Sequence, residues 1–300
     1  MIKNLEMKIT SFGEVLWDIF ETHKKIGGAP LNVALRLHSM DIESSVITKI
    51  GNDDLGKEII AFVKEQGLPV HTFQIDEQHK TGEVLVALDE ENTASYKISK
   101  PVAWDFIEYS EDLKTEVQQS DAVIFGSLAS RNKISRNTLL QLLNHANFKI
   151  LDVNLRPPHY DAELLLELMS KADFIKLNDE ELEEICTFFK IQKSTFEDQV
   201  KAIASHTNTN QICITKGAKG ATLFYEDIFY HNTGYKVTVI DTVGAGDSFL
   251  ASLISELFQK KKPQEAIDFA SAIGAMVAGS KGANPIFTKK EVEHFIAHQS

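Results

Sequence analysis

Short apolar runs alternate with longer amphipathic stretches through most of this chain, and that alternation constrains the fold more than any other feature. Strand-like runs fall at 8–12, 45–50, 121–125, 148–153, 173–177, 211–215 and 235–240. Helix-like stretches lie near 30–39, 54–66, 135–146, 161–170, 179–189 and 196–205. Parallel neighbours need a crossover, usually a helix, and helices on both faces bury the strands between them. The pattern predicts an α/β chain with a central, mostly parallel sheet flanked by helices. No Pro/Gly/Ser-rich linker, low-complexity tract or internal repeat divides the 300 residues, so the expectation is one domain over 1–300.

Residues 81–99 depart from this pattern. Two β-rich runs, 83–88 and 94–98, flank a polar DEEN tract with no helix between them. The stretch 14–25 offers another short strand of the same kind. These pieces suit either a small sheet standing off the main one as a lid over a site, or an antiparallel edge on the main sheet.

Charge and cysteine content narrow the function. The chain carries 31 basic and 43 acidic residues, a formal net charge of −12. Without a long basic run, such a chain repels nucleic acid and anionic membrane. Two cysteines, Cys186 and Cys213, make no disulfide framework and suit a reducing, cytoplasmic setting. The opening MIKNLEMKIT lacks the apolar core of an export signal, and no apolar stretch approaches the ~18 residues of a membrane span. The ten histidines show no metal-binding spacing.

The most informative segment is Asp241–Asp247 (DTVGAGD), placed after the strand-like run 235–240. Phe249, Leu250, Leu253, Ile254, Leu257 and Phe258 follow as one apolar helical stripe. A glycine turn opening a helix puts the N–H groups of Gly244, Ala245, Gly246 and Asp247 at its positive end, where they can meet an anion. Asp247 could be an ordinary helix cap, but GAG before it and the stripe after it favour a chemical role. Its closeness to the helix start leads one to expect a low carboxylate pKa. A dinucleotide fingerprint fits poorly, because Phe249 stands where a third glycine belongs. The Gly51–Lys57 match to a phosphate-binding loop fails too, since Glu58 replaces the metal-binding Ser/Thr.

Two further glycine elements stand out. Gly27 and Gly28 precede Ala-Pro-Leu-Asn32, with Pro30 suited to a first helical turn. Asn32 could offer its amide to a polyhydroxylated ligand or simply cap the helix. The third element, Thr215 to Gly220 (TKGAKG), reads locally as a turn between strands 211–215 and 221–225.

Together these elements resemble the ribokinase-like (phosphofructokinase-B) carbohydrate kinases. DTVGAGD resembles the family's C-terminal signature and GGAPLN its N-terminal one. Further matches are Gly51–Gly56, Asp152 to Arg156 (DVNLR), Asn178 to Glu181 (NDEE), Lys216–Gly217 with Gly220, and Lys281 to Ala283. The likeness runs from Gly13 to about Pro285, and within the family the wording is most similar to fructokinases.

The resemblance implies transfer of the ATP γ-phosphoryl group to a sugar hydroxyl under a small β-lid formed by about 14–25 and 81–99. It implies Asp247 as the base that accepts the hydroxyl proton, and the amides of Gly244, Ala245 and Gly246 as an anion hole. Asp18, Gly27, Gly28 and Asn32 match the sugar pocket. Asn178, Thr215, Gly217 and Gly220 match nucleotide-contacting positions. Glu181 would act on Mg²⁺ through water, and Asp241 with the 279–283 loop lies where many relatives hold a monovalent cation such as K⁺. Arg156 is a candidate for neutralising phosphate charge or for an ordinary ion pair. Exposed apolar lid faces suggest a homodimer through the lid.

Three departures bear on the sugar and nucleotide. Val243 stands where the signature usually has Thr, Ser271 stands where many fructokinases have Asn near the adenine, and Lys100–Asp105 lacks their arginine-rich wording. The expectation is an ATP- and Mg²⁺-dependent fructokinase, with 2-keto-3-deoxygluconate, ribose or another small sugar as the alternative substrate. A non-catalytic nucleotide or sugar sensor on the same fold is the competing class.

Overall fold

The computed structural model describes residues 7–88, 94–192 and 195–299. Its strands are β1 (Lys8–Phe12), β2 (Leu16–Ile19), β3 (Lys24–Gly27), β4 (Glu43–Gly51), β5 (Phe73–Asp76), β6 (Gly82–Leu88), β7 (Ala94–Ile98), β8 (Ala122–Gly126), β9 (Lys149–Asp152), β10 (Phe174–Asn178), β11 (Gln211–Thr215), β12 (Ala221–Tyr225) and β13 (Ile228–Asn232). Nine of them form one sheet in the order β13-β12-β11-β10-β9-β8-β1-β4-β5. From β11 to β5 every neighbour is parallel, while β12 and β13 add an antiparallel edge. The expected α/β architecture, a mostly parallel sheet between helices, is what the chain adopts.

Strand alternation divides the core into two layers. Val123, Phe125, Leu151, Ile175 and Leu177 face one layer with Leu139, Leu164 and Leu182 from the helices on that side. Ile124, Ile150, Phe174 and Cys213 face the other, against Val33, Leu37, Leu250, Leu253 and Ile267. The strands are thus apolar on both faces, which is why they read as unbroken runs. Cys213 and Cys186 are free and buried.

The segments 14–25 and 81–99 do not edge the main sheet. They build a separate four-stranded sheet, β3-β2-β6-β7, in which β2 and β6 run parallel. The DEEN tract falls within 89–93, outside the described residues. Leu16, Val84 and Val86 pack on one another with Phe20 and Ile98. Two clasps hold the roots of this sheet. Asp53 caps helix Asp54–Glu65 and also accepts from the Thr81 N–H and hydroxyl, just before β6. Arg131 grips Asp105 with two donors, donates to the Ser99 carbonyl just after β7, and stacks 3.9 Å over Trp104. Gly82 opens β6 against that same indole, where a Cβ would come within 2.4 Å of Nε1.

The run 235–240 is not a strand. Val239 and Ile240 are exposed, and the N–H groups of Ile240 and Asp241 both turn to the Ala278 carbonyl. The edge position is taken by β13, whose polar FYHN sequence hid it from a search for apolar runs. β5 and the helices Glu111–Gln119 and Pro263–Ala278 also went unread in the sequence.

Candidate active site

Helix Ala245–Phe258 begins at Gly244, which adopts φ 76°. A side chain there would strike Ala283, whose Cα would lie 2.7 Å from the new Cβ, so glycine lets the turn and the 281–283 loop pack together. The N–H groups of Gly244, Gly246 and Asp247 have no hydrogen-bond partner among the described residues, while that of Ala245 donates weakly to the Thr242 carbonyl at 3.2 Å. The turn therefore leaves free donors at a positive helix end.

Asp247 sits in this first turn, half-buried, and its Oδ2 accepts from the Asn32 amide at 2.8 Å. Asn32 makes no capping bond of its own. Its Oδ1 accepts from Asn284 Nδ2 at 3.0 Å, and Asn284 is held by its neighbour Pro285, whose carbonyl accepts from the buried Arg36 guanidinium. The low pKa expected for Asp247 is corrected. Burial, then the nearby Asp152 charge, raise it to about 6 against the pull of Asn32, Lys176 and Arg156. Burial and the Asp152 charge thus make the carboxylate a stronger base than its position at a helix start suggests.

Below the turn lies a charge cluster that motif reading missed. Lys176 on β10 donates to Asp152 at the end of β9 over 2.9 Å, both side chains being under one-tenth exposed. The ammonium nitrogen would stand 3.4 Å from a Cβ on Gly246, so it abuts the glycine turn. Burial by itself would lower the Lys176 pKa, but Asp152 and Glu181 outweigh it and hold the side chain protonated. Asp152 Oδ2, Glu14 Oε2 and the Ser127 hydroxyl are buried without partners and line one small cavity of about 20 Å³. That is room for about one water with several polar contacts. Glu14 is pushed up to about 7, chiefly by burial, with Arg156 opposing. Charged residues inside apolar strands were the available signal for Lys176 and Asp152.

The second glycine pair meets the same place. Gly28 has φ 112° and begins helix Ala29–His38, with a Cβ excluded by the Glu14 carbonyl at 2.3 Å. A Cβ on Gly27 would lie 2.7 Å from Asp18 Oδ2, so its absence makes room for that carboxylate. Asp18 lies on β2 opposite Lys25 on β3, and burial raises its pKa while Lys25 and Arg156 restrain the shift. Arg156 is exposed, donates to its neighbour Leu155 O, and acts electrostatically on Asp18, Glu14 and Asp247 together. These contacts bring Asp18, Gly27, Gly28, Asn32 and Asp247 into one neighbourhood, with the Arg156 charge in range of both carboxylates.

The remaining sequence candidates fall in separate settings. Asn178 and Glu181 form a reciprocal capping box on helix Asp179–Phe188, and the other Glu181 oxygen accepts from the Leu155 N–H. Thr215 ends β11, and Gly217 follows at φ 53° with nothing within 4 Å of its Cβ position. Gly220 packs against Asn232, whose carbonyl would be 2.0 Å from a Cβ. Ser271 is buried within helix Pro263–Ala278, its hydroxyl without a partner. Asp241 accepts from the N–H groups of Val243 and Gly282 and meets the Lys25 ammonium at 3.7 Å. It thus links the 279–283 loop to the small sheet.

This arrangement can hold a hydroxyl against a half-buried base and spread amide and ammonium charge around a phosphoryl group. Comparison with known proteins agrees with that chemistry. The pfkB family carbohydrate kinase profile matches residues 3–290. The probable fructokinase-3 of Arabidopsis thaliana is 27% identical over 306 residues, covering 92% of this chain and 87% of that protein. The fructokinase of Escherichia coli is 28% identical, covering 86% and 87% respectively. A fructokinase of Xylella fastidiosa, solved with bound ATP, shares the fold with a TM-score of 0.86 over 98% of this chain and 99% of that one, at 21% identity.

Proposed function

The chain belongs to the pfkB family of carbohydrate kinases and is an ATP-dependent sugar kinase; from that premise we propose that it phosphorylates fructose. The observation that carries the site assignment is the Asn32–Asp247 contact beside the free N–H groups of Gly244 and Gly246. Asp247 orients the sugar hydroxyl and receives its proton as the phosphoryl group arrives. In a loose transition state the proton leaves late, so a base near pKa 6 is adequate. The anion-hole amides and the Lys176 ammonium bear on the charge of the group in transit.

Asp18 is the proposed acceptor for two sugar hydroxyls, being partly open on β2 of the small sheet. The small sheet is read as a lid that excludes water, and Leu85, 45% exposed on β6, as part of a homodimer contact. Asn178, Thr215, Gly217, Gly220 and Ser271 are assigned to the nucleotide side. No helix among the described residues is long and apolar enough to cross a membrane, and the expected setting remains the cytoplasm.

Mg²⁺ fits the acidic groups here. Each Glu181 oxygen accepts one backbone N–H and keeps a spare lone pair. Through water Glu181 would hold the ion, which when bound neutralises phosphate charge. At Asp241 the Lys25 ammonium already stands 3.7 Å from the carboxylate, which does not fit a K⁺ site, and no step is derived through that ion.

Exposed Arg156 favours one second reading, a sugar acid such as 2-keto-3-deoxygluconate whose carboxylate it would pair. A sugar panel with ADP release coupled to a reporter decides between them. Fructose should give the highest kcat/KM; a sugar acid in first place would replace it, and no ADP release with any sugar would leave the sensor.

A further inference from the structure

An open cleft of about 460 Å³ lies beside the root of β7. It is lined by the first turns of helices Lys133–Leu143 and Ala162–Met169, which cover the sheet face opposite to the helices carrying Asn32 and Asp247. None of Asp18, Gly27, Gly28, Asn32, Arg156 and Asp247 lines it.

Its walls are rich in uncommitted donors. Lys100 is exposed and has no ion pair among the described residues. Arg136 donates only its Nε, to the Ser130 carbonyl, leaving both terminal nitrogens. Asn132 uses its oxygen to cap the first helix and keeps its amide nitrogen. Arg131, with a side chain only 6% exposed, leaves Nη1 without a partner. The carboxylates nearby are engaged. Asp105 holds Arg131 and the Val102 N–H, and Asp161 caps the second helix. His159 feels the resulting field: its pKa is lowered by burial and then by Arg131 and Lys100, with Asp105 opposing.

We propose that this cleft is a second ligand site, which binds the phosphate group of a small metabolite. Lys100 and Arg136 supply the positive charge that a phosphate dianion requires, and the start of helix Lys133–Leu143, with no acidic residue in its first turn, adds its amide end. Pro101, Pro158, Tyr160 and Leu164 line the rest, offering apolar wall to a short carbon skeleton. The volume suits a small phosphate ester better than a bare ion.

The test is titration calorimetry with glycerol 3-phosphate, inorganic phosphate and glycerol, in the presence of a non-hydrolysable ATP analogue that occupies the nucleotide side. The expected result is saturable binding of a phosphate probe that weakens about tenfold in Lys100→Gln and again in Arg136→Gln. Tighter binding of the ester assigns a phosphorylated metabolite, and tighter inorganic phosphate assigns the free ion. Glycerol should give no matching heat. No saturable phosphate binding below about 10 mM, or binding unchanged in both variants, overturns the site. Lys100 is exposed and makes no contact that the fold relies on, so Lys100→Gln reports on binding even where Arg136→Gln is unstable. Sugar turnover is not the readout, so failure of the fructose assignment leaves this result standing.

Discussion

Asn32 and Asp247, 215 positions apart in sequence, meet through a single 2.8 Å hydrogen bond at the junction of two helix starts. Because Asn32 Oδ1 accepts from Asn284, its amide nitrogen is turned toward Asp247 Oδ2 and the other carboxylate oxygen remains for substrate. Asn32 is thus a positioning residue for the base. Asn32→Ala should lower kcat about 10- to 100-fold with a smaller change in the fructose KM. It should also move the acid limb of the pH profile upward, since the lost bond lowers the Asp247 pKa. Steady-state kinetics from pH 5 to 8 check both. An unmoved limb with an unchanged kcat would mean that Asn32 does not govern the base.

The pH dependence follows from the same carboxylate. A base must be deprotonated, so kcat/KM should fall as pH drops through about 6, the value to which burial and Asp152 raise Asp247. Asp247→Asn should remove about two to four orders of magnitude of turnover while sugar binding persists. Asp152→Asn should shift the acid limb downward, because it deletes the neighbouring negative charge. A limb that stays in place after that change would assign it to another group.

Glu14 gives a separate, stability-based expectation. Its folded pKa of about 7 lies above the model-peptide value of 4.5. The native state therefore holds this proton more tightly than the unfolded chain. The contribution is complete below the unfolded pKa and is lost as pH rises through about 7. Glu14→Gln should flatten that decline, gaining about 2–3 kcal/mol relative to the parent at pH 8. Denaturant melts at pH 5 and pH 8 measure it, and parallel declines in both proteins would refute the buried proton.

Much of this was legible because glycine and charge leave local marks. Gly28, Gly244 and Asp247 announced themselves through residue types that only close backbone approach or a helix start explains. The parallel strands were legible because burial on both faces makes them continuously apolar. Long-range contacts were not. Nothing near Asn32 in sequence points to Asp247 or Asn284, and the local features left capping and ligand roles open. Lys176 escaped notice because its partner, Asp152, lies on the neighbouring strand. The lost strand at 235–240 fails for a related reason: apolar residues there are exposed beside the glycine turn, and β13 had already closed the sheet edge.

Asp18 tests the sugar assignment directly. Asp18→Ala should leave hydroxyls poorly paired in a closed site, costing roughly 2–4 kcal/mol, or about 30- to 1000-fold in kcat/KM for fructose. The ATP KM should barely move, since Asp18 lies on the small sheet and the nucleotide positions lie beyond β10. Varying fructose and ATP separately shows which is affected. A loss confined to the ATP KM would reassign the residue.

The Lys176–Asp152 pair separates folding from chemistry. Both side chains are buried, so Lys176→Met leaves an unpaired carboxylate and should destabilise the chain by about 3–5 kcal/mol. Removing both charges, as in Lys176→Met with Asp152→Leu, should recover most of that stability, because apolar replacements of a buried pair are often neutral or better. Turnover should not recover. The Lys176 ammonium abuts Gly246 in the anion-hole turn, and Asp152 raises the pKa of Asp247 more than Lys176 lowers it, so the double variant lacks charge at the phosphoryl group and carries a weaker base. Melting curves and single-turnover rates on the single and double variants give the two halves. A stable double variant with parental turnover would make the pair a purely structural one.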